Sequence, residues 1–215
     1  MHQLEHQLEQ WYSELRRSLH HRSVVIDQGE DPVFFVVYPP RMTLRIYKEL
    51  PSWRARLRSE GFVTRTYNLG MALEDFVANH EHYPEIVEYL RDNPEELEAA
   101  RRSIADLLMK DRQRTILEDW VAAEIKEATE LRGDDDGGSQ SRASGDQGLL
   151  FLTGIEHLHP YLQIGRIEQS LQGRITCPVV VFYPGLRTSA FGLRYLGFYP
   201  ADGNYRSRHI GGTYR

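Results

Sequence analysis

Two short, uninterrupted apolar runs constrain the fold of this chain more than any other feature. Residues 33–38 read Val-Phe-Phe-Val-Val-Tyr and residues 179–183 read Val-Val-Val-Phe-Tyr, and a proline flanks each run on both sides. Runs this short that are rich in β-branched and aromatic residues favour strands, and their lack of alternation is typical of strands covered on both faces. We therefore expect a mostly parallel sheet between two layers of helices.

Helical segments alternate with the extended ones, as crossovers between parallel strands require. One apolar stripe at helical spacing predicts an N-terminal helix; its members are Leu4, Leu8, Trp11, Leu15 and Leu19. Further strands are predicted at residues 62–68 and 149–154. A helix that starts near Thr43 is predicted to be kinked or divided at Pro51.

The middle of the chain is predicted to be helical from residue 93 to 131, with Asn93 as N-cap and a bend or a second helix near 109–114. Residues 133–148 carry glycine, serine and aspartate but no large apolar side chain, which predicts a flexible loop. Because strands follow that loop, we interpret it as an insertion within a domain.

The chain is thus predicted to be a single three-layer α/β domain over residues 1–215. Its mostly parallel, P-loop-like sheet lacks the phosphate-binding loop, and an N-terminal helix and a long central helical segment accompany it. A helix is expected at 160–172, and the last thirty residues should add one or two short strands or a hairpin near Asp202-Gly203.

Composition narrows the classes of function. The net charge of −5 and the pI of about 6.0 exclude a generally basic protein that coats nucleic acid. The single cysteine, Cys177, excludes an intramolecular disulfide and a thiolate zinc cage. No apolar run is long enough to span a bilayer, and residues 1–5 do not resemble a secretory signal, so we expect a cytoplasmic protein without membrane contact.

Common catalytic motifs are missing from the sequence. None of the three lysines follows a glycine, so no P-loop is present, and no dinucleotide fingerprint or nucleophile elbow occurs. We therefore expect no cofactor, no catalytic residue and no enzymatic activity. One alternative stays open, a metal-dependent enzyme that uses Glu156, His157 and His159.

A tyrosine–proline–arginine pattern ends both of the strongest strands. Tyr38 and Arg41 close the first, and Tyr183 and Arg187 close the last, at the edge where open α/β sheets bind ligands. Residues 186–215 carry five arginines against one acid, a local charge of +4, with six interleaved aromatic residues. The candidate interface residues are Tyr38, Arg41, Tyr183, Arg187, Arg194, Tyr205 and Arg206.

Three interpretations of this surface remain open. The aromatic residues can pack the sheet edge as structural residues, with the arginines as ordinary surface charge, and this holds for Tyr38 and Tyr183 in particular. Arginine and tyrosine are also typical anchors of protein interfaces. Arginine with interleaved aromatics equally suits stacking on single-stranded nucleic acid.

The order of sequence blocks resembles the BrxB family of BREX bacteriophage-exclusion systems. The blocks are Leu149 to Gly154, Pro160 to Leu162, Pro178 to Gly185, Leu193 to Gly197, and Asn204 to Arg206. The strands at 32–39 and 61–69 also resemble that family, so the resemblance covers nearly the whole chain. The loop at 133–148 and the tail after His209 are particular to this sequence.

The resemblance implies a non-enzymatic component of a multi-protein antiviral defence system. Such systems combine a methyltransferase, a large ATPase and the phosphatase-like protein PglZ. A BrxB-like member is expected to act as an adaptor or scaffold that binds other BREX components, with PglZ the preferred partner. No catalytic residues are carried over from the family.

Overall fold

The fold is a mixed α/β arrangement built on one mostly parallel sheet. The structure, a computed structural model, describes residues 2–22, 33–107, 116–130, 147–159, 162, 164–171, 173–203 and 207–212. The strands among these residues are β1 Val33–Tyr38, β2 Phe62–Asn68, β3 Gln147–Thr153, β4 Val179–Arg187, β5 Leu193–Tyr195, β6 Ala201–Asp202 and β7 Arg208–Gly211. The helices are α1 His2–Arg22, α2 Thr43–Arg58, α3 Leu69–Ala78, α4 Tyr83–Asp92, α5 Leu97–Leu107, α6 Ile116–Glu130 and α7 Ile164–Leu171.

The main sheet has the strand order β2-β3-β4-β1-β7, and all four pairings along it are parallel. Beyond this sheet, the end of β4 pairs antiparallel with β5, which pairs antiparallel with β6. β1 leads through a 3-10 turn at Pro40–Met42 directly into α2. The predicted α/β class with a mostly parallel sheet is confirmed.

Two separate cores explain why the strands are continuously apolar. Phe34 and Val36 of β1 pack in a layer with α1 and α2, whereas Phe35 and Val37 pack in a second layer with α3, α6 and α7. All six residues of β1 are buried. Because both faces of the strand are covered by helices, neither set of alternate positions needs to be polar.

The structure excludes the division of the helix at Pro51 and corrects the predicted role of Asn93. α2 runs through Pro51 without a break, and Pro51 is exposed, so the ring and the hydrogen bond that it removes lie on the solvent side. Asn93 is not an N-cap; it ends α4, and its backbone N–H donates to the Tyr89 carbonyl before α5 begins at Leu97.

The beginning of α3 lies directly at the end of β2, with no turn at Leu69-Gly70 between them. Asn68 at the end of β2 caps the helix, because its side-chain oxygen accepts from the backbone N–H groups of Gly70 at 2.9 Å and Met71 at 3.4 Å. The helix therefore starts at Leu69, immediately after the strand.

The C-terminal strands differ from a simple hairpin at Asp202-Gly203. β6 pairs with β5, but β7 joins the main sheet parallel to β1, with Phe35 opposite His209.

Of the predicted loop at 133–148, residues 147 and 148 open β3, and residues 133–146 lie outside the described residues. Within the described part of the chain, no helix has the length and apolar character needed to cross a bilayer.

Candidate functional site

A small antiparallel extension projects from the carboxyl end of β4, and we call residues 185–202 the arm. Val179 to Tyr183 pair with the main sheet, but Gly185–Arg187 continue past its edge and pair with β5. β6 completes three short strands joined by turns at 188–192 and 196–200. The arm thus contains two of the five arginines and four of the six aromatic residues of the nominated segment 186–215.

Gly185 permits the arm to bend away from the sheet. A Cβ atom at this position would lie 2.5 Å from the Arg194 carbonyl oxygen and 2.5 Å from the Tyr183 ring. Only glycine avoids these contacts, since the carbonyl belongs to the backbone of the paired strand and cannot move aside cheaply. The Pro184 carbonyl, one residue earlier, accepts from the Leu196 N–H at 2.9 Å.

Stacked rings fix the inner face of the arm to the domain. Tyr195 is buried and stacks on His159, with ring centroids 3.8 Å apart and planes 11° apart. Tyr195 also meets Tyr183 edge-on at 5.5 Å, and His159 lies 4.7 Å from Tyr199. Burial lowers the pKa of His159 to about 4, so its ring is neutral at physiological pH.

This neutral histidine predicts an acid-sensitive fold. The unfolded chain binds protons on His159 near its ordinary pKa of about 6.5, so stability is lost as pH falls from that value toward 4. His159→Phe keeps a ring on Tyr195 but does not titrate. Between pH 7 and pH 5, the melting temperature of this variant should fall by roughly 2–4 °C less than that of the wild type.

Differential scanning fluorimetry at a series of pH values measures this difference. His21→Phe, at an exposed position of α1, is the control and should keep the full acid sensitivity. Burial and Arg187 also lower the pKa of His209 to about 4. If His159→Phe is as acid-sensitive as wild type, the titrating group is not His159, and a matching His209→Phe variant identifies the second candidate.

The arm carries two large exposed aromatic residues and one exposed cation. In β5, Leu193 and Tyr195 are buried and Arg194 between them is exposed. Phe191 in the first turn is 60% exposed and Phe198 in the second is 72% exposed. Phe191 precedes β5 by two residues and Phe198 follows it by three, and the Phe198 ring lies 4.7 Å from that of Tyr199 at their centroids.

The second turn is held in an unusual conformation. Leu196 has φ = 50°, in the left-handed region that non-glycine residues rarely adopt, and Gly197 follows with φ = 80°. The strain is compensated by backbone hydrogen bonds, including the one from the Tyr199 N–H to the Tyr195 carbonyl at 3.2 Å. Phe198 lies between Gly197 and Tyr199 and is therefore exposed on a turn whose backbone is held by hydrogen bonds.

The two tyrosines that the sequence nominated lie in the interior. Tyr38 is 0% exposed in the layer with α1 and α2, and Tyr183 is 1% exposed in the opposite layer. The register pairs Tyr38 with Pro184 rather than with Tyr183, and this offset of one residue points the two rings to opposite faces. Burial raises the pKa of Tyr38 far above its ordinary value. Both tyrosines are therefore packed in the interior, which agrees with the structural role that the sequence left open for them.

The nominated arginines have different environments. Arg41 is exposed in the turn before α2, and Arg194 is exposed on the arm. Arg187 is half-buried and donates to the carbonyl oxygens of Gly211 at 3.2 Å and His209 at 3.5 Å, which ties the arm to β7. Tyr205 and Arg206 lie outside the described residues.

The three residues of the possible metal site have separate contacts. Glu156 accepts from the Tyr47 hydroxyl at 2.9 Å, and the same hydroxyl accepts from the Gly154 N–H at 3.1 Å. His157 covers Gly70, since a Cβ atom there would lie 2.4 Å from its ring. His159 stacks on Tyr195. Among the described residues, no three His, Cys, Asp or Glu side chains cluster closely enough to hold a metal ion.

Sequence reasoning did not single out two features that the structure reveals. The first is the exposure of Phe191 and Phe198, which the sequence does not distinguish from the other C-terminal aromatic residues. The adjacent Gly192 and Gly197 are the available signal, because glycine is typical of turns. A cleft on the helical layer that contains α3 and α6, against which the arm also packs, is the second feature. It is lined by side chains from β2, α3 and α6, which are too distant in sequence to form a local pattern.

Comparison with known families identifies the chain. The family model described as "BREX protein BrxB" matches residues 66–210, about two thirds of the sequence, including β3, β4 and the whole arm. No curated protein and no solved structure gives a significant match. The chain therefore belongs to the BrxB family and is a component of a BREX phage-defence system.

Proposed function

We propose that this protein is a non-enzymatic adaptor of a cytoplasmic BREX complex, and that the arm is the surface by which it binds another BREX component. The preferred partner is the PglZ-like component. Family membership supports the setting, and the exposed aromatic residues of the arm support the mode of action.

The exposure of Phe191 and Phe198 is the observation that carries the proposal. A buried phenylalanine gains roughly 1.5–3 kcal/mol relative to an exposed one, so two exposed rings on one small extension forgo a considerable stabilisation. Aromatic and arginine side chains at the centre of an interface are the residues that most often dominate binding energy. Arg194, exposed on β5 between the two turns, adds an arginine to the same arm.

The contacts of Glu156, His157 and His159 support a non-enzymatic role. Glu156 and His157 contact Tyr47 and Gly70 at the carboxyl ends of the strands, and His159 anchors the arm.

Nucleic-acid binding through the same arm is the second candidate, favoured by the juxtaposition of Arg194 with exposed rings. A site of this class needs several phosphate contacts. Of the two arginines in the arm, Arg187 already donates to backbone carbonyls of β7. This engagement leaves Arg194 as the arginine of the arm that faces solvent, and protein binding is preferred for that reason.

A pull-down of the tagged chain from its native host, with and without nuclease, tests the proposal. We expect the PglZ-like component at near-equal amounts in both samples, identified by mass spectrometry. Recovery of BREX proteins only without nuclease would instead support the nucleic-acid candidate. In that case affinity for a single-stranded oligonucleotide should fall steeply as salt rises from roughly 50 to 200 mM, because bound counterions are released from the phosphates.

A further inference from the structure

A cleft of about 440 Å³ lies between α3 and α6, beside the end of β2. Its lining includes Tyr67, Asp75, Phe76, His80, Trp120 and Glu124. The cleft lies on the helical layer that contains α3, α6 and α7. None of the residues that line it belongs to the arm.

One side of the cleft is an aromatic wall. The rings of Phe76 and Trp120 lie 4.6 Å apart at their centroids and are inclined by only 31°. Both rings, and that of Tyr67, are half-buried and pack on the core beneath. At this centroid distance the two rings stack face to face, and the core beneath holds the stacked pair in place.

A positioned carboxylate stands at this wall. The Tyr67 hydroxyl donates a hydrogen bond to Oε2 of Glu124. Burial, together with the adjacent Glu124, raises the pKa of Tyr67, so the phenol stays protonated and keeps donating to Glu124. The negative charge of Glu127 also reaches this hydroxyl, and the positive charge of Arg65 opposes it. Glu124 is thus held in place by a hydrogen bond to Oε2, and its other oxygen is not bonded by Tyr67.

The surroundings of the cleft are strongly acidic. Asp75 lies exposed on its rim, and none of its lining residues is a lysine or an arginine. Residues 69–107, which contain α3, α4 and α5, carry ten acidic and three basic residues, a net charge of −7 against −5 for the whole chain. The segment that carries this excess of negative charge begins with α3, which lines the cleft.

We propose that this cleft binds an arginine side chain presented by a basic segment of another protein. The guanidinium stacks on an outer face of the Phe76–Trp120 pair and pairs with Glu124, while neighbouring basic residues of the segment face the acidic side chains around the cleft. An aromatic face beside one carboxylate suits a planar guanidinium better than an ammonium group, because only the guanidinium can stack and donate in its own plane at once. The site is separate from the arm and does not depend on the function proposed for it.

The indole N–H signals of the full chain, labelled with ¹⁵N, provide the test. Trp11 and Trp53 are buried, at 6% and 2% exposure, in the opposite layer and serve as internal controls for Trp120. The probes are N-acetyl-arginine amide, its neutral isostere N-acetyl-citrulline amide, and a heptapeptide with one arginine between two lysines. We expect arginine to shift Trp120 alone, citrulline to shift it at least tenfold less, and the heptapeptide to bind at least tenfold more tightly than the amide.

Charge substitution on one helix separates the site from general acidity. Glu124→Gln should weaken heptapeptide binding at least tenfold, since the amide still accepts from Tyr67 but carries no charge. Glu130→Gln, six residues away on α6, has the same change of charge and should bind like wild type. Phe76→Leu keeps an apolar side chain but removes the stacking surface, and should weaken arginine binding independently of charge.

Three outcomes overturn the proposal. Equal shifts by citrulline and arginine mean that the guanidinium charge is not recognised. Equal losses for Glu124→Gln and Glu130→Gln mean that the peptide senses only the overall charge. A Trp120 signal that shifts with protein concentration in the absence of any probe means that the occupant is a second copy of this chain.

Discussion

Replacing Phe191 and Phe198 together with serine is expected to weaken binding to the PglZ-like component at least a hundredfold. Interface aromatics of this kind cost about 2 kcal/mol or more each when truncated, and a hundredfold loss corresponds to about 2.7 kcal/mol. Both side chains are already largely exposed, at 60% and 72%, so the fold loses little on their removal. The melting temperature should therefore stay within about 2 °C of wild type. Isothermal titration calorimetry with the purified partner measures the affinity.

A matched control removes equally exposed apolar side chains elsewhere. Leu44 and Met71 are 77% and 66% exposed and lie outside the arm, so Leu44→Ser with Met71→Ser removes a similar amount of exposed apolar surface at a different place. We expect this control to bind normally. If both double variants bind like wild type, the arm is not the docking surface, whatever partner the pull-down identifies.

The single substitution Arg194→Glu extends the test to charge. Because Arg194 is exposed, its reversal should reduce affinity without lowering the melting temperature. Arg187 is a poor choice for such a test, since its hydrogen bonds to Gly211 and His209 tie β7 to the arm and their loss destabilises the fold itself. A reduced melting temperature for Arg194→Glu would show that this side chain has a structural role.

Replacing Gly154 with alanine is expected to destabilise the fold strongly, because it combines backbone strain with a steric clash. Gly154 has φ = 73°, and an added Cβ would lie 2.2 Å from the Asn68 side-chain oxygen and 2.6 Å from the Gly70 nitrogen. The methyl group therefore displaces the cap of α3. Left-handed strain costs about 1–2 kcal/mol and a lost cap about 1 kcal/mol, so we expect a loss of about 3 kcal/mol or a melting temperature lower by roughly 6–12 °C.

Gly61→Ala separates the two contributions to this loss. Gly61 has φ = 89°, but no atom lies within 4 Å of an added Cβ, so this variant has only the backbone strain. Its free energy of unfolding, measured by urea denaturation, should fall by about 1–2 kcal/mol. Equal losses for the two variants would contradict the argument, because the contact with Asn68 would then contribute nothing.

The first four strands were predictable from the sequence because their signal is local. β1 and β2 have the predicted bounds at residues 33–38 and 62–68, and β3 and β4 differ from prediction by a few residues at their ends. A dense run of β-branched and aromatic residues predicts a strand that is buried on both faces, and this prediction does not require knowing which strands pair with it. The helix stripe from Leu4 to Leu19 is equally local, and α1 extends over it.

The short C-terminal strands were less predictable, since their partners are distant in sequence. β7 is only four residues long and pairs with β1, which lies near the other end of the chain. Nothing in Arg208–Gly211 distinguishes a strand that returns to the main sheet from one that pairs with its neighbour β6. The same limit applies to the cleft, where Tyr67, Phe76 and Trp120 meet only after the chain has folded.

Local patterns in the sequence were enough to establish the layered α/β class, the four principal strands, the lack of common catalytic motifs and the resemblance to the BrxB family. Which nominated residues reach the surface depended instead on how distant segments pack. Tyr38 and Tyr183 end similar motifs, yet the pairing of Tyr38 with Pro184 buries the two rings in opposite layers, whereas Phe191 and Phe198 are displayed by the turns of the arm. Strand identity follows from local composition, but exposure depends on register and on packing between segments far apart in the chain.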